Sequence, residues 1–332
     1  MAATVKIGFI GSGGIALTQM GHLSKLPGVE IVAASDINKQ MLAKAREQFN
    51  VQRLYEDWKE MLAEEKDMVA VSVCTPNKLH CEPTVAALNA GKHVLVEKPI
   101  AMNAKEGEKM VAAAKKNKKL LQIAFQFRFR PSTQAIRKQV EAGALGKILY
   151  VRCQALRRRG IPNWGVFGRK ELQGGGPMID IGVHIMEEAH YVIGKPKPVS
   201  AKGAAYTYLG NRKSQTVCPW PNWDYKTYTV EDLAVGMVTF EDGANLLIEA
   251  SFAAHIENDV FNVQVMGTKG GAILEPPKIF TDQNGYMVNI EPSFVGKWDG
   301  FQHKMQHFVE CVRDGKKCEA PGEDGLVIQK MI

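Results

Sequence analysis

Residues 5–23 read VKIGFIGSGGIALTQMGHL, an apolar run from Val5 to Ile10, a loop of small residues, and a helix-like stretch. The loop, Gly11, Ser12, Gly13, Gly14, Ile15 and Ala16, has the pattern GxGxxA in the strand-to-helix setting that gives such a pattern meaning. Gly11 permits a tight turn, Gly13 lets the backbone approach a pyrophosphate, and Ala16 lets the helix pack against the strand while its first amides face the phosphates. Asp36 ends the next apolar run, Ile31 to Ser35, where a carboxylate can accept hydrogen bonds from an adenosine ribose. Its charge repels a 2′-phosphate and no arginine stands nearby in sequence, so NAD is expected rather than NADP. The bland alternative, a plain glycine turn, is disfavoured by this context.

Outward from that loop, short apolar runs alternate with helix-period segments as far as about Phe125. Strands are expected at Val5 to Ile10, Ile31 to Ser35, Met68 to Cys74, His93 to Val96 and Leu120 to Phe125, separated by helices such as Lys39 to Phe49, Leu79 to Ala90 and Ala104 to Asn117. This predicts an α/β fold with a doubly wound, parallel Rossmann sheet over residues 1–127. After a helix from Pro131 to about Ala142, longer strands rich in Val, Tyr and Thr take over, expected at Ile148 to Ala155, Val199 to Tyr208, Tyr228 to Phe240, Ala244 to Phe252 and Phe261 to Met266. Residues 128–332 therefore read as an α+β domain with a large, mostly antiparallel open sheet. A helix from about Met178 to Ile193 covers one face, and the other is expected to pair subunits into a homodimer or homotetramer. The proline- and tryptophan-bearing stretch Gly210 to Asp224 predicts irregular structure, and a helix begun near Asp324 is expected to run past Ile332.

The chain has 332 residues, enough for about two domains, with 45% apolar and 23% charged residues, the balance of a globular protein with a sizeable core. No apolar stretch approaches the ~20 residues of a membrane span, and the N-terminus leads straight into a strand without a signal peptide, so a cytoplasmic protein is expected. Six scattered cysteines without a CxxC pair argue against a disulfide framework or a zinc ribbon. The net charge of +7 permits a polyanion partner, but the basic residues are spread out except at Lys115 to Lys119 and Arg157 to Arg159, so no nucleic-acid partner is expected.

Cys74, Thr75, Pro76, Asn77, Lys78, Leu79 and His80 follow one strand, and Glu97, Lys98 and Pro99 follow another. Ligands of open α/β sheets bind beyond the carboxyl ends of the strands, which makes Thr75, Pro76, Asn77, His80, Glu97 and Lys98 cofactor candidates. Pro99 restrains Lys98 and is compatible with a cis peptide. Farther on, GGGPMIDIGVH (Gly174 to His184) carries Asp180 and His184 at i, i+4, on one helical face, where a carboxylate can orient an imidazole that exchanges a proton with a hydroxyl. Gln126, Arg128, Arg157, Arg158, Trp164, Trp220 and Trp223 are candidates to hold a polar substrate, the tryptophans by stacking and the arginines through its hydroxyls. His303 and His307 are spaced like metal ligands but lack an HExxH glutamate or an evident third ligand; they read as packing residues, and no metal is expected.

Three of these motifs together, the GxGxxA loop with Asp36, CTPN with His80 and EKP (Glu97 to Pro99), joined by Arg128, Phe129, Pro131 and GGGPMIDIGVH, resemble the Gfo/Idh/MocA family of sugar and cyclitol oxidoreductases over nearly the whole chain. The resemblance implies a Rossmann domain, a substrate domain built on an open sheet, NAD, and hydride transfer at a secondary alcohol. It also implies that Lys98, Asp180 and His184 form the catalytic set. His184 would take the carbinol proton, Asp180 would orient it, and Lys98 would polarise the same oxygen. A sugar, glycoside or cyclitol is the expected substrate, with C3 of a glycoside favoured. An NAD-retaining glycosidase of the same family and a non-catalytic NAD-sensing protein are the alternatives.

Overall fold

The computed structural model describes residues 4–332. Apolar side chains on both faces of β1 (Val5–Ile10) suit the middle of a sheet covered on both sides, and nearly the whole strand is buried. The chain continues through α1 (Gly14–Leu23), β2 (Val29–Ser35), α2 (Lys39–Phe49), β3 (Arg53–Tyr55), α3 (Trp58–Glu64), β4 (Ala70–Val73), α4 (Cys81–Asn89), β5 (His93–Val96), α5 (Ala104–Asn117) and β6 (Leu121–Ile123). The strands lie in the order β3-β2-β1-β4-β5-β6, all parallel, the doubly wound arrangement expected. β3 was not anticipated, since three residues are too few to show an alternation. The helices α2, α3 and α5 start on side-chain caps from Asn38, Asp57 and Asn103, whereas α1 starts at Gly13 with none.

The second sheet follows α6 (Pro131–Glu141), which has proline in its first turn. Its elements are β7 (Ile148–Leu156), α7 (Lys170–Gln173), α8 (Val183–Val192), β8 (Pro198–Tyr206), β9 (Leu233–Phe240), β10 (Asn245–Ser251), β11 (Val260–Gly267), β12 (Gly270–Ile273), β13 (Lys278–Gln283) and β14 (Tyr286–Ile290). The order is β14-β13-β12-β11-β7-β10-β9-β8, antiparallel except for β7 with β10. α8 packs on β7 and β11, while β8 is exposed along almost its whole length. Two departures have local causes. β9 starts at Leu233 rather than Tyr228, because the Asp232 carboxylate accepts from the amides of Tyr208, Leu209 (2.7 Å) and Gly210 (2.8 Å) and bends the chain there. β12 to β14 are short, and β13 and β14 mix polar residues with exposed apolar ones such as Met287, so they lack a clean alternation and give a weak signal in sequence.

The chain ends with α9 (Gly300–Asp314) and α10 (Gly322–Met331). Contacts divide it into Met1–Gln126 with Asp299–Lys330, and Phe127–Trp298 with Met331–Ile332. The C-terminal helices thus return to the Rossmann unit instead of completing the second domain. The reason is an apolar stripe: Met305, Phe308 and Val309 of α9 join Ile7, Phe9, Ala16 and Met20 in one core. No helix among the described residues is long and apolar enough to cross a membrane.

Candidate active site

In the Rossmann unit, Gly11 has φ +86°, and a Cβ there would stand 2.8 Å from the Cys74 carbonyl group, so turn and close approach both demand glycine. A Cβ at Gly13 or Gly14 would meet nothing within 4 Å, which leaves the start of α1 open on the loop side. The Ser12 amide donates to Asp36 Oδ2 at 2.6 Å, and the Asn38 amide to Oδ1 at 2.8 Å, so the carboxylate is fixed beside the loop. The Ser12 hydroxyl is buried and meets no hydrogen-bond partner among the described residues. An uncapped helix start, open glycines, an orphaned buried hydroxyl and a fixed ribose-type carboxylate fit a dinucleotide. Ile15, at the start of α1, is half-buried.

Thr75 and Pro76 are half-buried and Asn77 is buried at the start of a single 3-10 turn, Asn77–Leu79. Lys98 is half-buried, and the Lys98–Pro99 peptide is cis. Two residues expected to line the cofactor are anchors instead. His80 is fully buried, with Nδ1 2.8 Å from the Pro99 carbonyl and Nε2 2.9 Å from that of Thr75. It therefore ties the CTPN turn to the EKP turn and offers no ring nitrogen to a ligand, while burial pushes its pKa down. Glu97 is buried too: its Oε1 accepts from Gln19 (2.6 Å) and from Lys304 of α9 (3.2 Å). Burial alone would raise its carboxyl, but the charges of Lys304 and Lys98 outweigh it and hold the group below the usual carboxylate range. Ser72 donates to Gln19 Oε1 at 2.5 Å, extending the network under the sheet. Sequence reading passed over Gln19 and Lys304; the available signal was a lysine inside the apolar stripe of α9.

In the second unit, the segment expected to be a helix from Met178 begins as a π-helical turn, Met178–Gly182, and becomes α-helical at Val183. Asp180 sits in the wide turn and His184 in the first α-helical turn, so the pair occupies the kind of irregular helix start that recurs at functional sites. Three glycines make it possible. Gly174 has φ +87°, and a Cβ at Gly176 would stand 2.3 Å from the Glu231 carbonyl oxygen. The Glu231 carboxylate accepts from the amides of Gly176 (2.9 Å) and Met178 (3.4 Å) and acts as the cap of this turn, a role the sequence did not reveal. His184 is 9% exposed, and its ring meets the edge of Phe127 at 5.2 Å, with Phe127 backed by Phe261 and Trp298.

The substrate candidates separate into two groups. The Arg157 guanidinium lies 4.8 Å from the Trp220 ring centre, and Trp164 packs edge-on against Trp220 at 4.7 Å. Burial pulls the Arg157 pKa down, against the opposing fields of Asp180 and Asp259, which places Arg157 within electrostatic reach of the expected catalytic aspartate. Trp164 is 50% exposed, and Gln126 is half-buried at the start of a 3-10 turn. The other group is structural. Arg128 is fully buried, donating to Glu187 Oε2 at 2.7 Å and lying over Tyr191, and Trp223 is buried with its indole N–H on the Gly210 carbonyl (2.8 Å). Neither can reach a substrate. Arg158 is exposed; its backbone amide donates to Asp259 Oδ1 (2.7 Å) and its guanidinium Nη1 to the Glu257 carbonyl (2.8 Å).

A parallel sheet in this order, entered through a glycine loop with a fixed acceptor at the end of β2, defines an NAD-binding oxidoreductase. The chain belongs to the Gfo/Idh/MocA family: the family model described as an oxidoreductase family with NAD-binding Rossmann fold matches residues 5–125, and the GFO/IDH/MocA C-terminal domain matches residues 133–273. Among curated relatives, D-glucoside 3-dehydrogenase of Escherichia coli (strain K12) is 36% identical over 334 residues, covering 100% of this chain and 94% of its own. Myo-inositol 2-dehydrogenase of Thermotoga maritima is 26% identical, covering 97% and 92%. Among solved structures, levoglucosan dehydrogenase in complex with NADH superposes with a TM-score of 0.84 at 22% identity, covering 98% of this chain and 94% of that one.

Proposed function

We propose that this protein is an NAD-dependent dehydrogenase of a glucoside, oxidising the secondary alcohol at ring C3. The observation that carries this reading is the 36% identity along the entire chain to an enzyme named D-glucoside 3-dehydrogenase. The Trp164, Trp220 and Arg157 group supports it, since flat aromatic faces and a forked donor suit the apolar face and hydroxyls of a pyranose. Gly11, Ser12, Gly13, Gly14 and Ile15 bind the pyrophosphate, Asp36 binds the adenosine ribose, and Thr75, Pro76, Asn77 and Lys98 border the nicotinamide. Bound NAD supplies the hydride acceptor. His184 removes the carbinol proton, Asp180 holds the imidazole in orientation and favours its charged form, and Lys98 stabilises negative charge on the same oxygen. The solvent-facing side of the second sheet joins two copies of the chain.

Turnover of a panel of methyl glucosides, free sugars and inositols, followed by reduction of free NAD and by mass of the keto product, tests the reading. Stoichiometric NAD reduction with a glucoside and a 3-keto product is expected. Turnover of inositols alone, or glycoside cleavage without net NAD reduction, overturns it.

A further inference from the structure

Three side chains with nitrogen or sulfur donors meet where α9 ends, and the dehydrogenase reading uses none of them. His307 and Cys311 lie one turn apart on α9, and Cys318 follows on the loop beyond Gly315, which ends the helix at φ +67°. His307 Nε2, Cys311 Sγ and Cys318 Sγ all lie within 4.8 Å of one another. The separation of His307 Nε2 from Cys311 Sγ is 3.3 Å. A zinc ion with Zn–N of about 2.05 Å and Zn–S of about 2.3 Å at tetrahedral angles spans an N···S edge of roughly 3.5 Å, so this pair needs to open by only about 0.2 Å. His307 and Cys311 are 4% and 7% exposed, and Cys318 is half-buried.

The tautomer is also right for a ligand. The Glu319 amide donates to His307 Nε2 at 2.9 Å, so that nitrogen carries the lone pair, and a cation would take the place of this donor. The loop is tied to the Rossmann sheet, with the Ile123 amide on the Ala320 carbonyl (2.9 Å) and the Cys318 thiol 3.6 Å from Gln122 Oε1.

We propose that His307, Cys311 and Cys318 form a binding site for a thiophilic divalent cation, zinc by donor chemistry, with water at the fourth position. On binding, each thiol gives its proton to solvent, two metal–sulfur bonds and one metal–nitrogen bond form, and nothing is oxidised. Two thiolates neutralise the dication, which suits a largely buried place. The ion pins the loop after α9 to the helix and so holds the C-terminal segment on the edge of the Rossmann sheet.

The test is cobalt titration of the whole, reduced, chelator-stripped protein. One equivalent of Co²⁺ with tetrahedral ligand-field bands and sulfur-to-cobalt charge transfer is expected, displaced by Zn²⁺. Saturating Zn²⁺ should raise Tm by about 5–10 °C. Cys318→Ser, on the half-exposed loop, should lose most of the charge-transfer intensity and the Tm shift even if Cys311→Ser does not fold, while Cys218→Ser keeps both. Absence of the bands overturns the proposal, as does their survival in Cys318→Ser. Conversion of Cys311 and Cys318 to a disulfide without cobalt uptake by the reduced protein overturns it equally.

Discussion

In the proposed mechanism Lys98 and His184 carry the chemistry, and truncating either removes its contribution. Lys98→Ala and His184→Ala should each slow hydride transfer by about 10² to 10⁴ while the dissociation constant for NAD stays close to that of the unaltered enzyme. Stopped-flow kinetics with separate NAD titration measures both quantities, and full-speed turnover in either variant would remove that residue from the reaction. Glu188 governs a different property. Burial first of all pushes its carboxyl up to about 8, against the pull of Arg130 and Thr133. The folded protein therefore keeps a proton that the unfolded chain loses near the ordinary value of 4.5. The stabilisation is complete below that value, declines as pH rises, and is gone by about pH 8. Glu188→Gln should flatten this decline in Tm against pH; parallel profiles would contradict a protonated Glu188. The residue types and spacings of Lys98, Asp180 and His184 were legible in sequence. The anchoring of His80 on two carbonyls and of Arg128 on the Glu187 carboxylate was not, because a side chain's chemistry does not say whether it faces a ligand or a partner within the fold.

At the scale of elements, the π-helical start of α8 carries Asp180 and leads into His184, two of the three side chains of the proposed mechanism, and it is held by one carboxylate. Glu231→Ala leaves the amides of Gly176 and Met178 without their acceptor, a loss of about 1–2 kcal/mol by the usual worth of a helix cap. Denaturant unfolding should show that loss, and kcat should fall with KM nearly constant, since the turn carrying Asp180 and His184 loosens. An unchanged kcat would mean that the turn holds its shape without Glu231. The strands of the Rossmann sheet were readable because buried parallel strands are continuous apolar runs bounded by glycine and polar turns. β3 and β12 to β14 were not, being short or solvated, and the π turn leaves no mark on a sequence that fits an α-helix equally well.

For the whole molecule, the telling contact is between residues 97 and 304. Lys304→Met leaves the buried Glu97 short of a positive partner and should cost about 3–5 kcal/mol of stability. Adding Glu97→Gln to Lys304→Met should recover much of that loss in denaturant unfolding, and the absence of recovery would show the two charges to be uncoupled. On the second sheet, the pairing register puts Met237, Arg152, Glu249 and Met266 on the face opposite α8, with Met237 47% and Met266 42% exposed. If this face joins two copies as proposed, the unaltered protein should show at least a dimer mass in light scattering and Met237→Glu with Met266→Glu should reduce it to a monomer; a monomer mass for the unaltered protein, or no change in the variant, would contradict pairing through this face. The sequence alone determined the nucleotide-binding fold and the preference for NAD, because these follow from local patterns of glycine, periodicity and charge. Tertiary structure alone decided that α9 completes the first core, that Glu97 answers to Lys304, and that His307 stands beside two cysteines. Such pairings depend on which helix face meets which strand, and that is settled by burying apolar surface across the fold rather than by neighbours along the chain.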